Sequence, residues 1–218
     1  MKTLIISLSA FFSVLSFSHA QDVKMTITAG MAAQQSPAPN HIFVNRSSPR
    51  DEFTFDLSQV KPSYFIGVGA KYDLNKSFFL AAEALYNRRE YLYNVSYTFP
   101  GFGRTEQTQV LTESMNIINV PLTLGVDLGV VDVTSGFLPQ LILSQSSDLE
   151  GLNGYSQKLD KLRFGWHSGV AANIKAVRVG VSWQMDFNNY ADHAFIHDQN
   201  LSLQGRSNRL LGTLSYQF

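Results

Sequence analysis

Apolar and polar residues alternate without a break from Val177 to Phe187. Val177, Val179, Val181, Trp183, Met185 and Phe187 share one side; Arg178, Gly180, Ser182, Gln184 and Asp186 share the other. A period of two held over this length predicts a β-strand, not a helix. At roughly ten residues the strand is long enough to cross a bilayer at a tilt. Seven further segments carry the same alternation: Val23–Met31, Tyr64–Tyr72, Phe78–Asn87, Ile118–Leu128, Val131–Ser144, Arg163–Ile174 and Leu210–Phe218.

The connections between these eight segments alternate in length. Asp73-Leu74-Asn75-Lys76, Gly129-Val130 and Ile174-Lys175-Ala176 are short. Roughly Ala33 to Gln59, Arg89 to Thr112, Gln145 to Lys161 and Asn188 to Ser207 are long and polar, and are expected to be loops. Short periplasmic turns and long external loops are the asymmetry of outer-membrane barrels. An even strand count lets the sheet close with no unpaired edge. The expected fold is therefore all-β: an eight-stranded antiparallel transmembrane β-barrel. Pro121, inside an apolar segment, lacks an amide donor and predicts a bulge or break.

The flanks agree with export. Met1 to Ala20 reads as a signal peptide, with Lys2, an apolar stretch from Leu4 to Phe17 and small residues at Ser18-His19-Ala20. The barrel domain is then expected over 21–218, in the cell outer membrane. The last alternating segment ends in Tyr216 and Phe218, the terminal aromatic pattern that barrel assembly machinery reads.

Composition narrows the chemistry. Cysteine is absent, so no disulfide, thiolate metal site or thiol nucleophile is available. A formal net charge of zero argues against a nucleic-acid partner drawn by phosphate. Charged residues make up only 16% of the chain. Lys24, Lys71, Glu83, Asp127, Asp132, Arg163, Arg178, Asp186 and Arg209 all fall on the polar side of their segments. That side is expected to be the barrel interior, where buried charges pair into a plug. Glycines on the same side make room for long side chains in a narrow lumen. A soluble lipocalin-like barrel would reverse this, with Trp183 inside and Arg178 outside.

Phe78-Phe79-Leu80-Ala81-Ala82-Glu83-Ala84-Leu85-Tyr86 resembles the third strand of the PorT-like outer-membrane β-barrel family, common in Bacteroidota. Ile118-Asn119-Val120-Pro121-Leu122 resembles its fourth strand, and Leu210–Phe218 its last. The pattern departs at Arg88-Arg89, where members often carry a Lys-Gly pair. The resemblance implies an eight-stranded barrel without shared catalytic residues. The family's namesake assists a protein-secretion system.

Candidate chemistry beyond the interior is sparse. Asp192-His193 and His197-Asp198 offer paired acid and imidazole, but in a polar loop they read as solvated surface. His167 and Ser168 are adjacent in a strand and face opposite sides, so they cannot act as base and nucleophile. Tyr91, Tyr93, Tyr97, Phe99 and Phe102 surround Pro100-Gly101, either as an exposed aromatic loop or, preferably, as a hairpin rising above the membrane. Asn45-Arg46-Ser47 and Asn94-Val95-Ser96 match glycosylation sequons, patterns common by chance. Gly101-Phe102-Gly103 lacks the remainder of a phosphate loop.

The reading that follows is a barrel with no catalytic residues, metal or cofactor. It contacts outer-membrane lipid and engages an envelope protein through its long loops, or serves as envelope structure. The alternatives are a lipid-modifying enzyme of acyltransferase or deacylase type, and a narrow solute pore.

Overall fold

A computed structural model describes residues 23–34, 41–44, 52–99, 105–196, 199–201 and 203–218. The signal-peptide segment Met1–Ala20, Asn45-Arg46-Ser47, Pro100-Gly101-Phe102-Gly103 and His197-Asp198 lie outside the described residues. The strands, in chain order, are β1 (Val23–Gln34), β2 (His41–Val44), β3 (Glu52–Val60), β4 (Ser63–Asp73), β5 (Phe78–Phe99), β6 (Thr105–Asn119) and β7 (Leu122–Asp127). They continue with β8 (Val131–Ser147), β9 (Tyr155–Gln157), β10 (Leu162–Ile174), β11 (Val177–Tyr190), β12 (Ala194–Ile196), β13 (Gln199–Asn200) and β14 (Leu203–Gln217).

Eight antiparallel staves close on themselves in the order β1, β4, β5, β6 with β7, β8, β10, β11, β14 and back to β1. The stagger follows from the register. Val23 lies opposite Tyr72, then come Leu80, Leu124, Ser135, Ser168, Trp183 and Leu210, and the path returns to β1 at Ala33, ten residues further along. For eight strands such a stagger tilts the staves by about 40° and leaves a bore that side chains fill. β6 and β7 are one stave interrupted at Val120-Pro121. Registry carries across the gap, with Asn119 opposite Leu85 and Leu122 opposite Ala82, so the missing proline donor costs ladder bonds without shifting the strand.

The faces sort by chemistry. Ile66, Val68, Val179, Val181, Trp183 and Leu214 are exposed on the outer wall. Lys71, Asp132, His167, Asp186 and Arg209 are buried within. This is the reverse of a lipocalin-like barrel. One expected position shifts: a bulge between β6 and β8 sets Ser144 opposite Asn116 on the outer surface rather than inside.

The expected long loops are largely folded. β5 and β6 continue as a hairpin past the apolar band, paired from Leu85 with Asn119 to Phe99 with Thr105. β3 adds to the other edge of β5, and β2 to β3. β9, β12 and β13 form a small second sheet. These pieces enclose a second hydrophobic core that includes Phe55, Tyr93, Val95, Ile117, Leu149 and Leu203. The barrel thus carries a structured cap at its long-loop end. The period of two running through β5 builds it, since Tyr91, Tyr93 and Val95 continue the inward face begun by Phe79 and Leu85.

Candidate functional site

The interior is layered from the short-turn mouth to the cap. At the mouth, Lys24 pairs with Asp73 at 2.8 Å, and its side chain is half-exposed, not interior as its parity suggests. β1 begins at Val23, so Lys24 sits at the rim. Asp127 is also a mouth residue, one-third exposed. Just inside, Lys71 is buried with Asp73, Asp127 and Asp132 at 3.7, 3.8 and 3.9 Å. Its ammonium stands 3.9 Å above the Phe79 ring, a cation–π contact. The ring lies against Gly125, where an added Cβ would approach to 2.1 Å, so glycine makes the stack possible. Arg178 reaches the same buried Asp132 at 3.2 Å.

Above this cluster lies a cavity of about 70 Å³, bordered by Thr26, Thr28, Glu83, Thr123, His167 and Gln184. Thr28 donates to Glu83 at 2.7 Å. His167 is buried against Thr123 at 3.3 Å. A space of that size and polarity holds a few waters.

A buried charged cluster lies between the cavity and the cap. Arg89 donates to Asp186 at 3.0 Å, to Asn119 at 3.2 Å and to Gln140 at 2.9 Å. Arg209 approaches the other Asp186 oxygen at 3.4 Å, and Gln140 also hydrogen-bonds to Asp186. Two buried guanidinium groups therefore share one carboxylate, with side-chain amides supplying further acceptors. Such an arrangement is held together by mutual dependence: removing one partner strands a buried charge.

A smaller pocket of about 20 Å³ separates this cluster from the cap. There His193 Nε2 donates to Glu113 at 2.8 Å, and Nδ1 faces Asp192 at 3.5 Å. Tyr93 donates to Glu113 at 3.0 Å, and Gln145 also donates to it. Arg163 pairs with Asp192 at 2.8 Å, so this charge serves the cap rather than the bore. Burial depresses the His193 imidazole, but hydrogen bonds to Asp192 and Glu113 outweigh it and raise the group to about 9. Burial pushes Tyr155 up to about 12, and Tyr93 well above the ordinary phenol, with Glu113 adding to both.

The expectation that Asp192-His193 is solvated surface is corrected: His193 is 3% exposed. The tight turn after Tyr190 folds it back onto β6. Of the two readings of the aromatic stretch, the preferred hairpin is the one found: β5 and β6 pair through it, and Tyr91 and Tyr93 are buried rather than displayed on an exposed loop. The sequence reading names neither Arg89 nor Glu113 as a site residue, and it names His193 only as part of a solvated loop. The alternation that flags Glu83 extends to Arg89, and that of Ile117 and Asn119 extends back to Glu113; no periodic signal marks His193. Tyr216 and Phe218 are exposed on the outer wall, their rings stacked with centroids 6.4 Å apart.

The geometry bears on catalysis. A His beside a carboxylate resembles half of a triad, but a working base keeps one ring nitrogen for its nucleophile. Both nitrogens of His193 are engaged instead: Nε2 by Glu113, and Nδ1 by Asp192 at 3.5 Å and the Arg163 guanidinium at 3.4 Å. Among the described residues, no three His, Cys, Asp or Glu side chains are placed to hold a metal ion.

A closed antiparallel barrel of eight staves, apolar outside and ion-paired inside, is a transmembrane β-barrel. The chain matches the family described as outer membrane protein beta-barrel domain over residues 19–191, and it belongs to that family. No curated protein matches the chain.

Proposed function

We propose that the protein is a non-catalytic barrel of the cell outer membrane that presents a rigid external cap as an interaction or structural surface. The carrying observation is the double closure of the bore. The Arg89–Asp186–Arg209 cluster fills it near the top of the apolar band, and the core around Phe55, Tyr93, Leu149 and Leu203 fills it above. A solute path would need both to open, which disfavours the pore. The engagement of both His193 nitrogens disfavours the lipid-modifying enzyme.

The strand motifs at Phe78–Tyr86 and Ile118–Leu122 support kinship with PorT-like barrels, and through it an accessory role in protein export. The partner is then an envelope protein that contacts the cap. The test is reconstitution of purified protein in vesicles of outer-membrane lipid. Ion flux no higher than in empty vesicles, and lipid acyl chains unchanged by mass spectrometry, are expected. A steady conductance, or acyl transfer abolished by His193→Gln, would replace this reading. Photo-crosslinkers placed along β9 and β12 in intact cells are expected to give discrete protein adducts.

A further inference from the structure

We infer that the outer wall carries a binding site for a phosphorylated glycolipid, centred on Arg88 with Lys61. The inference rests on the outer-membrane placement proposed above. Arg88 points outward from β5, one outward position beyond Tyr86, at the top of the apolar band. Phe65 lies opposite Asn87, which sets Tyr64 opposite Arg88, and Tyr64 is 73% exposed. Exposed aromatics at this level mark the boundary between hydrocarbon and headgroups. The Arg88 side chain is 59% exposed, and whatever occupies the headgroup layer meets it directly.

The charge there is not balanced. Lys61 pairs with Glu90 at 2.8 Å, and Arg88 reaches the other oxygen of the same carboxylate at 3.2 Å. Two cations share one anion, so the group is left net positive. Arg88 retains donors for a further oxyanion, and guanidinium matches phosphate geometry.

Beside it runs an uncharged polar strip. Asn116 lies opposite Arg88 in the register. Tyr86 donates to Asn116 at 2.8 Å, and Asn116 donates to Ser144 at 2.8 Å, so the strip spans β5, β6 and β8 on the outside of the barrel. Outward-facing amide and hydroxyl groups next to a net positive pair match a headgroup that joins sugar hydroxyls to phosphate. A bare phosphate would use only the cations, and a zwitterionic phospholipid brings its own positive charge.

The test uses the full-length protein in detergent, mixed with a bis-phosphorylated, acylated glucosamine disaccharide or its dephosphorylated form, and read by native mass spectrometry. The phosphorylated form is expected to be retained at least tenfold more. Arg88→Gln with Lys61→Gln is expected to erase that preference, while Arg206→Gln, an exposed cation elsewhere on the rim, leaves it intact. Heat-modifiable migration checks that each variant is folded. If the double variant does not fold, Arg88→Lys keeps the charge but not the fork, and is expected to weaken the preference severalfold. Equal retention of both lipids, or a preference indifferent to Arg88, overturns the site. Equal loss in Arg206→Gln shows diffuse charge only, and displacement by millimolar inorganic phosphate shows a free-anion site; either overturns the glycolipid assignment. None of these outcomes bears on whether the cap binds a protein.

Discussion

His193 and Glu113, eighty residues apart in the chain, meet at 2.8 Å inside the cap. Their contact ties the β5–β6 hairpin to the segment after β11. Gln145 of β8 joins the same carboxylate. Three excursions from the barrel therefore converge on one buried oxyanion, and the cap behaves as a unit rather than as separate loops.

His193 stands at about 9 in the folded cap against 6.5 for the free imidazole. A raised folded value stabilises fully below the unfolded one and is lost as pH rises through the folded one. The cap should hold full stability below about 6.5, lose it progressively, and by about 9 to 10 be weaker by about 3 kcal/mol. Amide exchange along β5 and β6, corrected for the intrinsic rate, checks this. Flat protection from pH 6 to 10 refutes it.

Glu113→Gln should release the cap without unfolding the barrel. The substitution leaves the His193 proton without its main counter-charge. Breaking a buried pair costs roughly 3–5 kcal/mol, or more than a hundredfold in local opening. Limited proteolysis should cut within β9 to β13, while heat-modifiable migration persists. Retained resistance to cleavage would show that apolar packing alone holds the cap.

Asp186→Asn should destabilise the barrel itself. Arg89 and Arg209 lose their shared carboxylate at 3.0 and 3.4 Å. The cost is on the order of several kcal/mol. Adding Arg209→Met should recover part of it by removing one orphaned charge. The temperature at which the folded band disappears on a gel reports both. A double variant no better than the single one would show that Arg209 is not electrostatically coupled to Asp186.

Val181→Arg should impair insertion. Val181 faces outward on β11, near the middle of the apolar row from Val177 to Phe187. Arginine at the midplane of a lipid-facing wall costs roughly 2–4 kcal/mol. The folded fraction in lipid vesicles should fall, with the urea midpoint lowered. An unchanged midpoint would place Val181 away from hydrocarbon.

The barrel was legible because its grammar is local. Each of the eight segments repeats every second residue, and Pro121 announced the break between β6 and β7 by its chemistry. The interior charges Lys71, Asp132, Asp186 and Arg209 were readable from parity alone. Lys24 and Asp127 share that parity but sit at the mouth, because parity fixes a side and not a depth. The cap was hidden for a related reason. Polar residues outnumber apolar ones in the expected loops, and the few that matter, such as Phe55, Tyr93 and Leu203, come from distant stretches.

Sequence alone determined the number of barrel staves, the outward direction of the apolar rows and the charges that needed partners, since these depend on neighbours two residues away. Only the tertiary structure decided which partners they found. Arg89 with Asp186, and Glu113 with His193, are set by a ten-residue stagger around the barrel and by a turn folding back over it. No local pattern encodes a meeting made by closure.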